Sequence, residues 1–401
     1  MTQAKVRSAA ARALAMPRSA IREIMALAAG RPDVIHLEVG EPDSPVEPAI
    51  IDAACRSMRE GWTRYAPNAG LPRLRELVAA RYAARWAYPA TADRVVITTG
   101  AIGALYTAVM SVVDPGDEVL IPDPGWPNYE SICHLAGARA VRYCLDPRDG
   151  YLPAMEELRR LTGPRTKAIL VNTPGNPTGA VFPAAVMQAL AEHAAATGTY
   201  LISDEIYEDM VFSAPHVSAA DFDIHDRLFV VAGVSKSYAM TGFRLGFLVC
   251  PVGLGPVAAS LQEPVTSCAS TPSQKAAEAA LSGDQSAVAR LCATFRRRAE
   301  LFVSELGPGL VPVAPAGAFY TLVDIAPTGL GSLEFCKLLL SEDAVAAVPG
   351  ITFGPSCDRT VRVAFSASDT QLVVAAARMR RRIEALSGGR PPVSGEKDVA
   401  R

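Results

Sequence analysis

Through the middle of the chain, short apolar runs alternate with stretches whose apolar positions recur every three or four residues. The runs at 94–99, 118–121, 139–143, 167–171, 199–203, 228–232 and 245–249 are rich in Val, Ile, Leu and Ala. Runs of that length and composition read as strands buried in a sheet. Helix-like stretches at 103–113, 127–135 and 183–196 separate the early ones. Strand–helix alternation predicts an α/β domain with a mostly parallel, seven-stranded sheet. Such sheets bind ligands beyond the carboxyl ends of their strands.

After residue 273 the pattern changes. Segments 275–281, 285–306 and 370–386 predict helices, and 318–323 and 360–364 predict short strands. A helix at 19–29 and a strand at 34–39 are expected to join them. The expected division is a large α/β domain over 46–285 and a smaller α+β domain over 1–45 and 286–387. Residues 388–401, rich in Gly, Pro and charge, are expected to be a disordered tail. The arginine runs 296–298 and 380–382 read as solvated helix faces, and 315–320 as small-domain packing.

Composition narrows the function. Against 39 Lys and Arg stand 41 Asp and Glu, a formal charge of -2. That balance gives no basis for a nucleic-acid partner. No apolar stretch is long enough to span a bilayer. Residues 1–15 carry Lys5, Arg7 and Arg12 without an apolar core and cleavage site, so no secretory signal is expected. Eight scattered cysteines without a CxxC pair, and five dispersed histidines without HExxH spacing, argue against a disulfide framework or a metal site. Reduced cytoplasmic thiols are the expectation.

The polar exceptions fall directly after strands. Lys236 lies in Val234-Ser235-Lys236-Ser237-Tyr238-Ala239-Met240-Thr241-Gly242-Phe243-Arg244-Leu245-Gly246. A lysine near other cations can supply a neutral amine for Schiff-base chemistry, and Arg244 can clamp a phosphate. A Ser-Lys pair alone would be unremarkable on a surface. Asn172–Gly179 (NTPGNPTG) reads by itself as a turn-rich loop. Asp204, in Ser203-Asp204-Glu205-Ile206-Tyr207, could equally be an N-cap. Thr99-Gly100-Ala101-Ile102-Gly103 opens a helix after a strand and offers backbone N–H groups to a phosphate. It is not the GxGxxG dinucleotide fingerprint. Trp126, in Pro122–Tyr129, reads alone as a packing residue. Arg362, in an apolar strand, needs an anion to be tolerable there.

Together and in this order, these segments resemble the class I/II aminotransferases, enzymes of the fold-type I pyridoxal-phosphate (PLP) group. The resemblance spans roughly residues 36–368. It implies a PLP-dependent transferase in which Lys236 holds the cofactor as a Schiff base and moves protons. It implies that Gly100, Ala101, Ile102 and Arg244 meet the phosphate, that Ser235 also contacts the cofactor, and that Trp126 stacks on the ring. Asn176 and Tyr207 would bond the 3′-oxygen, and Asp204 would pair with the ring nitrogen. Such a pair at about 4 Å and an effective dielectric of about 20 is worth roughly 4 kcal/mol. Tyr65, in Arg64–Pro72, would reach the phosphate of a neighbouring subunit, making the protein a homodimer. Arg362 would grip the substrate carboxylate, with Gly40, Trp126 and Asn176 beside the substrate. The expected reaction passes an amino group from an amino acid to a 2-oxo acid. Elimination or cyclisation on the same site, and non-catalytic PLP binding, remain alternatives. Ala101, Ile102 and Gly103 carry no charge. Acidic substrates are therefore expected to be disfavoured, unless Arg18, Arg22 or a basic residue of a partner subunit supplies a charge at the site.

Overall fold

A computed structural model describes residues 9–388, apart from 18, 19, 87 and 214. Of the expected tail, residues 389–401 lie outside the described residues, as does Arg18. Eight strands form the main sheet. Their order is Val95–Thr98, Gly246–Val249, Leu228–Gly233, Tyr200–Asp204, Thr166–Asn172, Glu118–Asp123, Arg139–Asp146 and Leu152–Pro153. The first seven are those the apolar runs predict. The eighth is a two-residue edge strand, too short to carry a periodic signal.

The five strands between Leu228–Gly233 and Arg139–Asp146 pair in parallel. Gly246–Val249 runs antiparallel to both its neighbours. Side chains alternate between the faces, as the pleat requires. Ile97, Ile169, Val171 and Val230 enter one core cluster, and Val96, Ala168, Leu170 and Val231 the other. Both faces are covered, which is why the strands read as continuous apolar runs. Full burial of each Val, Leu or Ile side chain among them contributes about 1.5–3 kcal/mol.

A third cluster is built mainly from residues 24–37 and 291–383, with Ile206, Tyr207 and Met210 joining it. It surrounds a three-stranded antiparallel sheet in the order Tyr320–Asp324, Thr360–Ala364, Val348–Pro349. Helices Ala20–Ala28, Ser286–Leu306, Ser332–Asp343 and Asp369–Leu386 pack around it. The strand expected at 34–39 is only Ile35–His36, paired in parallel with Val345–Ala346. The backbone then leaves the pair. Leu37 O still accepts from Ala364 N at 2.8 Å, and Val39 O from Ser366 Oγ at 2.9 Å.

One expectation about the arginine runs is corrected. Arg298 is buried, donates to both carboxylate oxygens of Asp43 at 2.7 and 2.9 Å, and reaches Phe365 O at 3.3 Å. Helix periodicity turns one arginine of three inward, where it ties down the loop that carries Gly40. Arg382 likewise pairs with Asp343 at 2.6 Å. Among the described residues no helix is long and apolar enough to cross a membrane. None of the eight cysteines is paired.

Candidate active site

The parallel strands deliver their following residues to one edge of the sheet. Asp204 ends one strand, and Asn176, Trp126 and Lys236 follow three others within four residues. The antiparallel strand contributes from its other end. Gly246 pairs with both Thr98 and Gly233, so Arg244, just before it, meets the helix start at Gly100. These side chains line a cavity of about 470 Å³ with Glu38, Val39, Gly40, Ala101, Ile102, Tyr207, Ser235 and Arg362. Every expected site residue thus comes to it except Gly100, which abuts the cavity-lining Arg244, and Tyr65, which is 89% exposed elsewhere.

Lys236 is half-buried, and Nζ donates to Gly40 O at 2.5 Å. Desolvation pushes its pKa down to about 8. Arg362 and Arg244 push the same way, and Glu41 opposes them. The amine is therefore partly neutral near physiological pH. Asp204 is 3% exposed. Its Oδ2 accepts from Tyr129 Oη at 2.7 Å and its Oδ1 from Ile206 N at 3.3 Å. Burial raises its pKa to about 6 against the opposing pull of the Tyr129 bond.

Asn172 Nδ2 donates to Asp204 O at 2.9 Å, and Asn172 Oδ1 accepts from Asn176 N at 2.8 Å, fixing the loop between the strands. Asn176 Oδ1 accepts from Arg362 Nη1 at 3.2 Å, which does not use the donor side of the amide. Arg362 is 3% exposed and sits over Tyr320 and Phe353, 4.5 and 5.1 Å from their ring centres. Its Nη2 donates to Glu38 O at 2.7 Å, while Nε is buried without a partner. A buried guanidinium bonded only to neutral oxygens leaves its charge uncompensated by direct pairing.

Gly100 opens the helix Gly100–Val112 at φ +73°, the left-handed region. A Cβ there would lie 2.5 Å from Arg244 Nη2, so the bare backbone lets the guanidinium close on the helix start. The first N–H groups of that helix point along its axis without intrahelical acceptors. Gly40 allows a similar approach, since a Cβ would meet Tyr320 Oη at 2.8 Å.

Two tyrosines escape the motif reading. Tyr320, assigned above to packing, lines the cavity, and its hydroxyl lies 3.0 Å from that of Tyr207. Tyr129, three residues after Trp126 in the first turn of helix Asn128–Ala136, reaches back to Asp204. Ile21 and Met25, from helix Ala20–Ala28, also line the cavity.

What such a pocket can hold decides the class of protein. An anionic group suits the Gly100 helix start and Arg244, a protonatable ring suits the buried Asp204, and a carbonyl suits the amine of Lys236. One cofactor, pyridoxal 5′-phosphate, carries all three, and fold and site together define a PLP-dependent enzyme. Residues 32–379 match the family model described as aminotransferase class I and II. The chain belongs to that family and is a PLP-dependent aminotransferase. It is 35% identical to an aspartate aminotransferase of Pyrococcus horikoshii over 380 residues, covering 94% of this chain and 97% of that protein. An aspartate/prephenate aminotransferase of Thermus thermophilus is 36% identical over 353 residues, covering 87% and 91%. The structure of an aspartate aminotransferase from Thermus thermophilus with maleate matches with a TM-score of 0.90. It is 34% identical, covering 94% of this chain and 100% of that one.

Proposed function

We propose that Lys236 is the covalent anchor of the cofactor and the proton carrier of the reaction, and that Arg362 receives the α-carboxylate of the amino-acid substrate. The observation that carries this reading is that a desolvated, partly neutral amine and a buried arginine that lacks an anion line one cavity. Bound PLP supplies an electron-withdrawing ring that stabilises negative charge at the substrate α-carbon. Asp204 keeps the ring nitrogen protonated, and Tyr129 holds Asp204 in place. The amide of Asn176 and the hydroxyl of Tyr207 bond the 3′-oxygen. Trp126 covers a ring face. The N–H groups at Gly100, Ala101 and Ile102, with Ser235 and Arg244, hold the phosphate. Lys236 Nζ, with its pKa lowered to about 8, would serve as the base that carries the proton away from the substrate α-carbon. Gly40 and the flanking loop, tied down through Asp43 and Arg298, help to exclude water.

The domain division at 46–285 is supported by the separate core cluster of residues 24–37 and 291–383. A homodimer is supported by the exposure of Tyr65, and a cytoplasmic setting by the unpaired cysteines. The test of the reaction is to supply an amino acid alone and then with a 2-oxo acid. Stoichiometric 2-oxo acid without ammonia, with turnover restored by the second substrate, is expected. Sustained ammonia release would identify an elimination instead.

A further inference from the structure

The cavity wall divides by chemistry. Among the described residues, the cations lining it are Lys236, Arg244 and Arg362. Under the proposed function each is committed, to the cofactor's carbonyl carbon, its phosphate and the substrate α-carboxylate. A substrate side chain must therefore meet the rest of the wall. There the helix Ala20–Ala28 presents Ile21 and Met25, four residues apart and so on one face, while Ile24 and Ala28 are buried in the core. Val39 and Ile102 also line the cavity. Met25 remains 43% exposed, leaving thioether surface for an apolar group to cover. Arg22, on the same helix, is exposed and does not line the cavity.

The wall also carries negative charge. Glu38 is 2% exposed, with Oε1 held by His36 Nδ1 at 2.8 Å and Oε2 without a partner. Glu41 lines the cavity too and accepts a hydrogen bond from Thr241 Oγ1. A second carboxylate on the substrate would enter between apolar side chains and like charges, with each lining cation already engaged. Burying an unpaired charge is among the most costly changes a site can make.

We propose that this site selects 2-amino acids with neutral, apolar side chains and discriminates against dicarboxylic ones, a substrate class that rests on the aminotransferase reading. Ile21, Met25 and Ile102 are the residues that set the preference.

Two measurements on the PLP-loaded protein test it. The first compares kcat/KM for leucine, phenylalanine, aspartate, glutamate and arginine at one pH. The apolar pair should exceed the acidic pair by tenfold or more. The second titrates the absorbance of the bound cofactor with 4-methylpentanoate and with succinate, and needs no turnover. The monocarboxylate should bind about tenfold more tightly, equivalent to about 1.4 kcal/mol. Ile102→Lys should raise kcat/KM for aspartate about tenfold and lower it for leucine. Met25→Ala should lower activity toward leucine and spare alanine. A preference for aspartate and for succinate would overturn the proposal and point to a cation from Arg18 or a second copy of the chain. A preference for arginine would overturn it in favour of Glu38 and Glu41 as recognition groups. Failure of every amino acid to react would sink the aminotransferase reading, while the titration would still decide which side chains the wall accepts.

Discussion

Asp204 carries opposing effects at the scale of one side chain. Burial lifts its pKa to about 6 from an ordinary 3.8, while the hydroxyl of Tyr129 pulls it down. A carboxyl that is harder to ionise when folded favours the folded state while protonated. That advantage is lost as pH rises from about 4 through about 6. The gap corresponds to about 3 kcal/mol at about 1.36 kcal/mol per pKa unit. In cofactor-free protein, Asp204→Asn should therefore raise the melting temperature at pH 7.5 and have a much smaller effect at pH 4.5. In the holoenzyme the same change should remove several orders of magnitude in rate, because the ring nitrogen loses its ionised partner. Equal melting shifts at the two pH values would show that the carboxylate is not held under this strain. Asp204 itself is legible in the sequence, because an acid at a strand end stands out. Tyr129 is not, because a tyrosine opening a helix carries no mark of which way it points.

Secondary-structure elements decide which of these side chains meet. The seven strands are readable because burial on both faces leaves continuous apolar runs. The direction of Gly246–Val249 is not readable, yet its reversal is what brings Arg244 to Gly100. The helices Pro48–Arg59 and Pro72–Trp86 also pass unannounced. Pro72–Trp86 does space Leu74, Val78 and Tyr82 by four, but its four arginines dilute that stripe. At the phosphate end, Gly100→Ala places a methyl where Arg244 closes and forces an alanine into the left-handed region. The strain alone costs about 1–3 kcal/mol. Cofactor affinity should fall tenfold or more, as read by equilibrium titration of apoprotein with PLP. Unchanged affinity would remove the Gly100–Arg244 pair from the phosphate site.

Seen as a whole molecule, one chain holds nearly all of the site, and the expected contribution of Tyr65 is missing from it. Tyr65 is 89% exposed, and Ile51, Met58 and Trp62, a few residues earlier in the chain, are also exposed large apolar side chains. In the proposed homodimer a neighbouring copy covers these side chains and uses the hydroxyl. Light scattering should give a dimer. Tyr65→Phe should weaken PLP binding about tenfold while leaving the dimer intact, as expected for one lost hydrogen bond to a charged group. A monomer fully active at nanomolar concentration would contradict the shared site. The order of motifs along the chain is legible because most of them sit at strand ends, while the Tyr65 segment lies between two helices and Arg362 within a strand. The apolar wall of Ile21 and Met25 is not, because those residues reach the cavity only through the packing of a separate core cluster against the sheet.

The identity of the anchoring amine is the central claim, and one measurement addresses it directly. Borohydride reduction of the PLP-loaded protein, followed by peptide mass spectrometry, should place a single pyridoxyl adduct on the peptide containing Lys236. Lys236→Ala should bind PLP without forming an adduct and should not turn over. An adduct on any other lysine, or none on the wild-type protein, would contradict the assignment of Lys236.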